Sequence, residues 1–127
     1  MRTLLDTSVL LGPSPGPLDG ELAISTISLA ELHFGVLMTS SDTVRAERLR
    51  RLGVVERTFD ALPVDATVAR HYGRLVAAVA VAGRNPRARA VDLLIAATAV
   101  AHGARLCTRN AGDLLGIEEH LEVLALS

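Results

Sequence analysis

Four carboxylates stand where solubility alone does not explain them: Asp6, Glu31, Asp92 and Asp113. Asp6 directly follows Thr3-Leu4-Leu5, which reads as a short buried strand. An acid at the end of a strand in a parallel sheet is costly unless it caps a helix or binds a cation. Glu31 lies shortly after a second apolar segment, Leu22-Ala23-Ile24-Ser25, and Asn110 and Asp113 lie shortly after a third, Arg105–Thr108. Asp92 opens the most apolar helical stretch of the chain, with Ile95, Ala96 and Ala99 expected to point inward. Right-handed crossovers bring such strand ends to one edge of a sheet, where ligands of open α/β sheets collect. Four carboxylates gathered there repel and raise one another's pKa unless a hard cation holds them. Oxygen ligands without a His or Cys cluster suit Mg²⁺ or Mn²⁺ better than Zn²⁺.

Each acid also has an ordinary structural reading. Asp6 caps a turn begun by Thr7, and Ser28-x-x-Glu31 has the form of a capping box. Asp92 favours the dipole of its own helix and pairs with Arg89 one turn earlier; Asp113 caps a short helix that it begins. Taken jointly, three acids after successive strands and a fourth at the start of the helix that must pack on the sheet favour an assembled site. Ser8 has no His-Asp partners in the sequence, so a hydroxyl that orients water or phosphate suits it better than a nucleophile. The four histidines, His33, His71, His102 and His120, have no i, i+4 pairing or HExxH pattern, which argues against zinc. His33 reads as a structural residue.

Composition removes several other chemistries. All 13 basic residues are arginine, so neither a P-loop nor an aspartyl-phosphate enzyme that needs a lysine is expected. With 14 acidic residues the charges nearly cancel, and net charge says little about partners. The single Cys107 cannot form an intrachain disulfide, lies in an apolar run and is expected in the core of a protein kept reduced in the cytoplasm. No signal peptide is evident, and the longest apolar runs fall short of the roughly 18 residues of a membrane span. Between Arg84 and Arg109 stand five arginines and one acid. Of these, Arg84, Arg87 and Arg89 lie in the loop before the Asp92 helix, where they read equally as contacts for phosphate groups or as a solvated interhelical loop. Aromatic residues make up only 2% of the chain, too few for base-stacking platforms.

The elements that must position these groups alternate strand and helix. After the first strand, Val9-Leu10-Leu11 gives one helical turn, and Gly12–Pro17 forms an irregular loop. Helices are expected over Ser28 to about Met38, after a Ser41-Asp42 cap, after Asp65, and from about Ala88 to His102. In the third of these, Val68, Tyr72, Leu75, Val76 and Val79 recur at helical spacing. Leu62-Pro63-Val64 reads as an extended link, Asp113–Gly116 as a short helical turn, and Glu122–Leu126 as a last strand. The alternation predicts an α/β fold, a parallel sheet with helices on both faces.

Leu4-Leu5-Asp6-Thr7-Ser8, then Thr26-Ile27-Ser28-Leu29-Ala30-Glu31-Leu32 with Gly35, resembles the opening of PIN-domain proteins. Ala90-Val91-Asp92-Leu93-Leu94-Ile95-Ala96-Ala97-Thr98-Ala99 with Gly103, and Thr108-Arg109-Asn110 with Asp113, continue the pattern. Their order and spacing are similar to those of VapC toxins of toxin–antitoxin pairs, over essentially the whole chain. The resemblance implies a single PIN domain over residues 1–127, a three-layer α/β/α sandwich with a central parallel sheet. It implies a Mg²⁺- or Mn²⁺-dependent endoribonuclease acting on tRNA or ribosomal RNA, a VapB-like antitoxin as partner, and a homodimer. By position it makes Asp6, Glu31, Asp92 and Asp113 catalytic, with Asp6, Asp92 and Asp113 on the metal. Thr7, Ser8 and Asn110 become secondary polar residues. Leu114 stands where the family often has Phe, and the Gly12–Pro17 stretch replaces a more regular helical entry. A PIN-like module that binds without cutting, or a metal-dependent phosphatase or DNA nuclease, are the alternatives.

Overall fold

Five short strands, β1 (Arg2–Leu5), β2 (Glu21–Ser25), β3 (Asp60–Leu62), β4 (Arg105–Thr108) and β5 (Val123–Ala125), form one sheet in a computed structural model that describes residues 1–127. Their order is β3-β2-β1-β4-β5, and every neighbouring pair is parallel. The helices are α1 (Thr7–Leu11), α2 (Thr26–Leu37), α3 (Asp42–Thr58), α4 (Ala66–Val81) and α5 (Ala90–Ala101), with 3₁₀ turns at Pro86–Arg89 and Ala111–Leu114.

The two-residue period of the strands makes the layers. Leu4, Ala23 and Leu106 face one cluster, shared with Val68, Leu75 and Val79 of α4 and Leu93, Ile95, Ala96, Ala97 and Ala99 of α5. Their neighbours Leu5, Ile24 and Cys107 face the other, built from Val9 and Leu10 of α1, Leu32 and Val36 of α2, and Leu52 and Val55 of α3. The sheet is therefore covered on both faces, as a parallel sheet requires, in the expected three layers. Burying a Leu or Ile side chain as fully as Leu4, Ile24 and Leu106 are buried contributes about 2–3 kcal/mol each. Cys107 is a core residue, and burial is the first cause that pushes its thiol up.

Helix boundaries follow local chemistry. Asp65 caps α4 through its Oδ1, which accepts the Val68 N–H at 3.0 Å. Gly83 ends it at φ 79, and the Arg84 N–H returns to the Val79 carbonyl. Two expectations change. The cap of α2 is Ser25, whose Oγ accepts the Ile27 N–H, so the helix begins at Thr26 and Ser28 lies inside its first turn. Ser28-x-x-Glu31 is thus not a capping box. The second change is at Leu62-Pro63-Val64, where the extended backbone begins earlier; Asp60–Leu62 pairs with β2 as the edge strand, before proline ends the pairing. On α3, Arg50 pairs with Glu47, whereas Arg48 and Arg51 donate to the Gly35 and Leu11 carbonyls and tie the helix to its neighbours.

Gly20 enters β2 at φ 83, and a Cβ there would clash with the Met1 carbonyl oxygen. The clash involves backbone on both sides, so no side-chain rotation relieves it. Gly20→Ala is expected to lower Tm by about 5 °C or more in a thermal melt; an unchanged Tm would show that the β1–β2 entry has slack.

Candidate active site

The strand order reverses direction at β1. Chain growth runs from β1 through β2 to β3 on one side, and the α4–α5 crossover then returns to place β4 on the other. The crevice between the carboxyl ends of β1 and β4 is the topological switch point where such sheets bind ligands. Asp6 follows β1 there and Thr108 ends β4 there.

Asp6 is 8% exposed, and its oxygens are held by the local chain. Oδ1 accepts the Thr7 N–H at 2.7 Å, the capping contact expected of it. Oδ2 accepts the Thr108 hydroxyl at 2.7 Å and the Ser8 hydroxyl at 3.0 Å. Both hydroxyls are themselves aimed, because Thr108 Oγ1 accepts the Asn110 N–H and Ser8 Oγ accepts the Arg109 N–H. The cap and the anchored carboxylate are one arrangement.

Thr7, also buried, links this strand end to α2. Its hydroxyl donates to Glu31 Oε1 at 2.6 Å and lies 2.8 Å from Ser28 Oγ. Glu31 is exposed, with one oxygen fixed by Thr7. Ser8 is placed by its contacts to Asp6 and Arg109. Asn110 is exposed and makes no side-chain cap; it reaches the site through its backbone, the N–H donating to Thr108 and the carbonyl accepting the Asp113 N–H.

Asp92 lies in the first turn of α5, half-buried, with Leu93, Ile95, Ala96 and Ala99 packed behind it. Its carboxyl is held above the ordinary 3.8, first by burial, then by the charges of Asp6, Asp113 and Glu31, with Arg89 opposing. That one electrostatic environment contains all four expected acids. Asp113 is the third residue of its 3₁₀ turn, not the first, and its partner is Arg89, which ion-pairs with it. The expected Arg89–Asp92 pair is replaced by this contact. No three His, Cys, Asp or Glu side chains stand as a closed ligand set. Asp6 is turned to its hydroxyls, Glu31 to Thr7 and Asp113 to Arg89, as like charges do when each has another partner. The donor set, all carboxylate and hydroxyl oxygen beside an acid of raised pKa, fits a hard divalent cation.

Arg84 and Arg87 are exposed and make no ion pair, whereas Arg89 is turned into the acid cluster. Arg105 donates to Thr3 Oγ1, and Arg109 donates to the Pro13 and Ser127 carbonyls. These last two are structural, and Arg109 straps the proline-rich loop; a Cβ on Gly12 would come within 2.8 Å of its Nε. His33 faces Glu56 across α2 and α3, on the exposed side. Thr108 and Ser28 are not among the expected site residues, yet both hydroxyls contact them. A hydroxyl at the last position of a parallel strand beside an acid-bearing one was the available signal for Thr108.

The PIN-domain family model matches residues 3–112, and the chain belongs to that family. The chain is 38% identical over 113 residues to ribonuclease VapC5 of Mycobacterium tuberculosis, covering 84% of this chain and 82% of the relative. It is 35% identical over 115 residues to ribonuclease VapC4 of the same organism, covering 86% of each. The crystal structure of VapBC-5, a member of the VapBC family of toxin–antitoxin systems from M. tuberculosis, contains a chain that superposes with a TM-score of 0.87 at 31% identity, over 98% of both chains.

Proposed function

We propose that this protein is the toxin of a toxin–antitoxin pair: a Mg²⁺- or Mn²⁺-dependent endoribonuclease that cuts cellular RNA, such as tRNA or ribosomal RNA, in the cytoplasm and so halts translation. The observation that carries this reading is the buried Asp6 carboxylate, held by the Thr108 and Ser8 hydroxyls at the switch point of a PIN fold, with the charges of Asp113 and Glu31 felt at Asp92 beside it. The VapC ribonucleases it resembles, and the VapBC structure it superposes on, support the same activity and a VapB-like antitoxin as partner. A homodimer belongs to the same proposal. No helix is long and apolar enough to cross a membrane.

Asp6, Asp92 and Asp113 would hold the cation. When bound, it supplies charge neutralisation at the phosphate and a lowered pKa for water. Thr108, Ser8 and the Thr7 N–H keep Asp6 in one rotamer, so one ligand is already oriented. Glu31 has one oxygen pinned by Thr7, which leaves the second to orient the attacking water or take its proton. The exposed Arg84 and Arg87, in the stretch that precedes α5, would receive RNA phosphates.

Purified protein incubated with total RNA and Mg²⁺ is expected to give fragments with 5′-phosphate and 3′-hydroxyl ends, because water rather than a 2′-hydroxyl attacks. EDTA is expected to abolish cleavage, and added Mn²⁺ to restore it. Cleavage that persists in EDTA, or 2′,3′-cyclic phosphate ends, would sink the reading.

A further inference from the structure

Arg89 is the one cation turned into the acid cluster. It ends the 3₁₀ turn Pro86–Arg89, and its guanidinium reaches across the chain to Asp113. It makes no helix-capping bond with its side chain, so Asp113 is the polar group that orients it. Arg105 and Arg109 are committed elsewhere, and Arg84 and Arg87 are exposed without an ion pair. The pair is also partly open, with the Arg89 side chain 26% and that of Asp113 43% exposed. At that exposure it is screened and exchangeable rather than a lock. A divalent ion on Asp113 sets a second positive charge beside the guanidinium, so the two cations compete electrostatically for one carboxylate.

Resting on the reading that the cluster holds a divalent cation, we propose that Arg89 is a tethered counter-ion: it occupies Asp113 while the cation is absent, yields that carboxylate when the ion enters, and turns to the RNA phosphodiester at the same edge. The planar fork that fits a carboxylate fits a phosphate equally well, so the released side chain has a second partner of the same geometry. Exchange of one cation for another also keeps the cluster from standing as unpaired acids in either state. Arg89 is therefore a positioning residue with two opposite effects, weakening cation binding and strengthening that of RNA.

The test is a Mn²⁺ titration at constant ionic strength, with free Mn²⁺ read by electron paramagnetic resonance. It compares wild type, Arg89→Gln, Asp113→Asn and the double variant. Arg89→Gln is expected to bind Mn²⁺ roughly three- to tenfold more tightly, as loss of a competing ion pair should give. That gain is expected to vanish in the Asp113→Asn background, while KM for RNA at saturating Mn²⁺ rises in Arg89→Gln. Unchanged or weaker Mn²⁺ binding by Arg89→Gln overturns the exchange and leaves the acid site standing. Absence of Mn²⁺ binding by the wild type overturns both. Should Arg89→Gln fold poorly, nitrogen-15 NMR of the wild-type arginine side chains decides: the Arg89 Nη–H groups, of which Nη1 faces Asp113, are expected to exchange faster with water once Mg²⁺ is added, and no change overturns the proposal.

Discussion

Asp92→Asn is expected to cut RNA about a thousandfold more slowly than wild type, a loss typical of removing one group that stabilises charge in the transition state. In EDTA at neutral pH the same variant is expected to be the more stable protein, with the higher Tm. The sign follows from linkage. The folded pKa of Asp92 lies above 3.8, so the native state binds this proton more tightly than the unfolded chain. The stability it contributes is fully present below the unfolded value and is lost as pH rises through the folded one. At neutral pH the ionised carboxylate is a burden, caused first by burial and then by Asp6, Asp113 and Glu31. Asn carries no such charge. The advantage of the variant should therefore shrink as pH falls towards 3.8, and in saturating Mg²⁺ the order should reverse. Thermal melts over pH with EDTA or Mg²⁺ check it; a variant less stable than wild type in EDTA would show that Asp92 is not strained by its neighbours.

Asp6→Asn is expected to abolish cleavage equally, with the opposite effect on stability. Asp6 Oδ2 accepts two hydroxyls, and each of those already accepts a backbone N–H from Arg109 or Asn110. An ionised carboxylate oxygen only accepts, so both hydroxyls donate to Asp6, and an amide placed with its NH₂ towards them would force each hydroxyl proton to turn elsewhere in a buried site. Placing the amide oxygen there instead turns the NH₂ onto the Thr7 N–H. Either way one buried contact is lost, at a cost of about 2–3 kcal/mol and roughly 5–10 °C in Tm. An Asp6→Asn protein as stable as wild type would contradict the hydroxyl cradle. The contrast between two Asp→Asn changes at one site separates the acid that the fold anchors from the acid that the fold strains.

Much of this was legible in the chain because the physics was local. Leu4 and Leu5 alternate between faces, α4 carries its apolar stripe at helical spacing, and α5 is apolar all round because α4, α2 and the sheet surround it. The grouping of the acids followed from strand order and crossover handedness. Partners set by rotamers were not legible. Arg89 is three residues from Asp92, yet it reaches Asp113 from a segment distant in sequence. Ser28 has the spacing of a cap but turns its hydroxyl towards Thr7, because Ser25 already ends the strand in extended backbone. The edge strand Asp60–Leu62 is only three residues long, with Pro63 following, and gives no periodicity to detect.

Anomalous diffraction at the manganese edge, from crystals grown or soaked with Mn²⁺, tests the acid site most directly. A single strong peak is expected within ligand distance of both Asp6 and Asp92, with the Asp113 carboxylate turned away from Arg89. A well-ordered crystal with no peak there, or with manganese bound only elsewhere while Asp92 still faces its fellow acids unliganded, would contradict it.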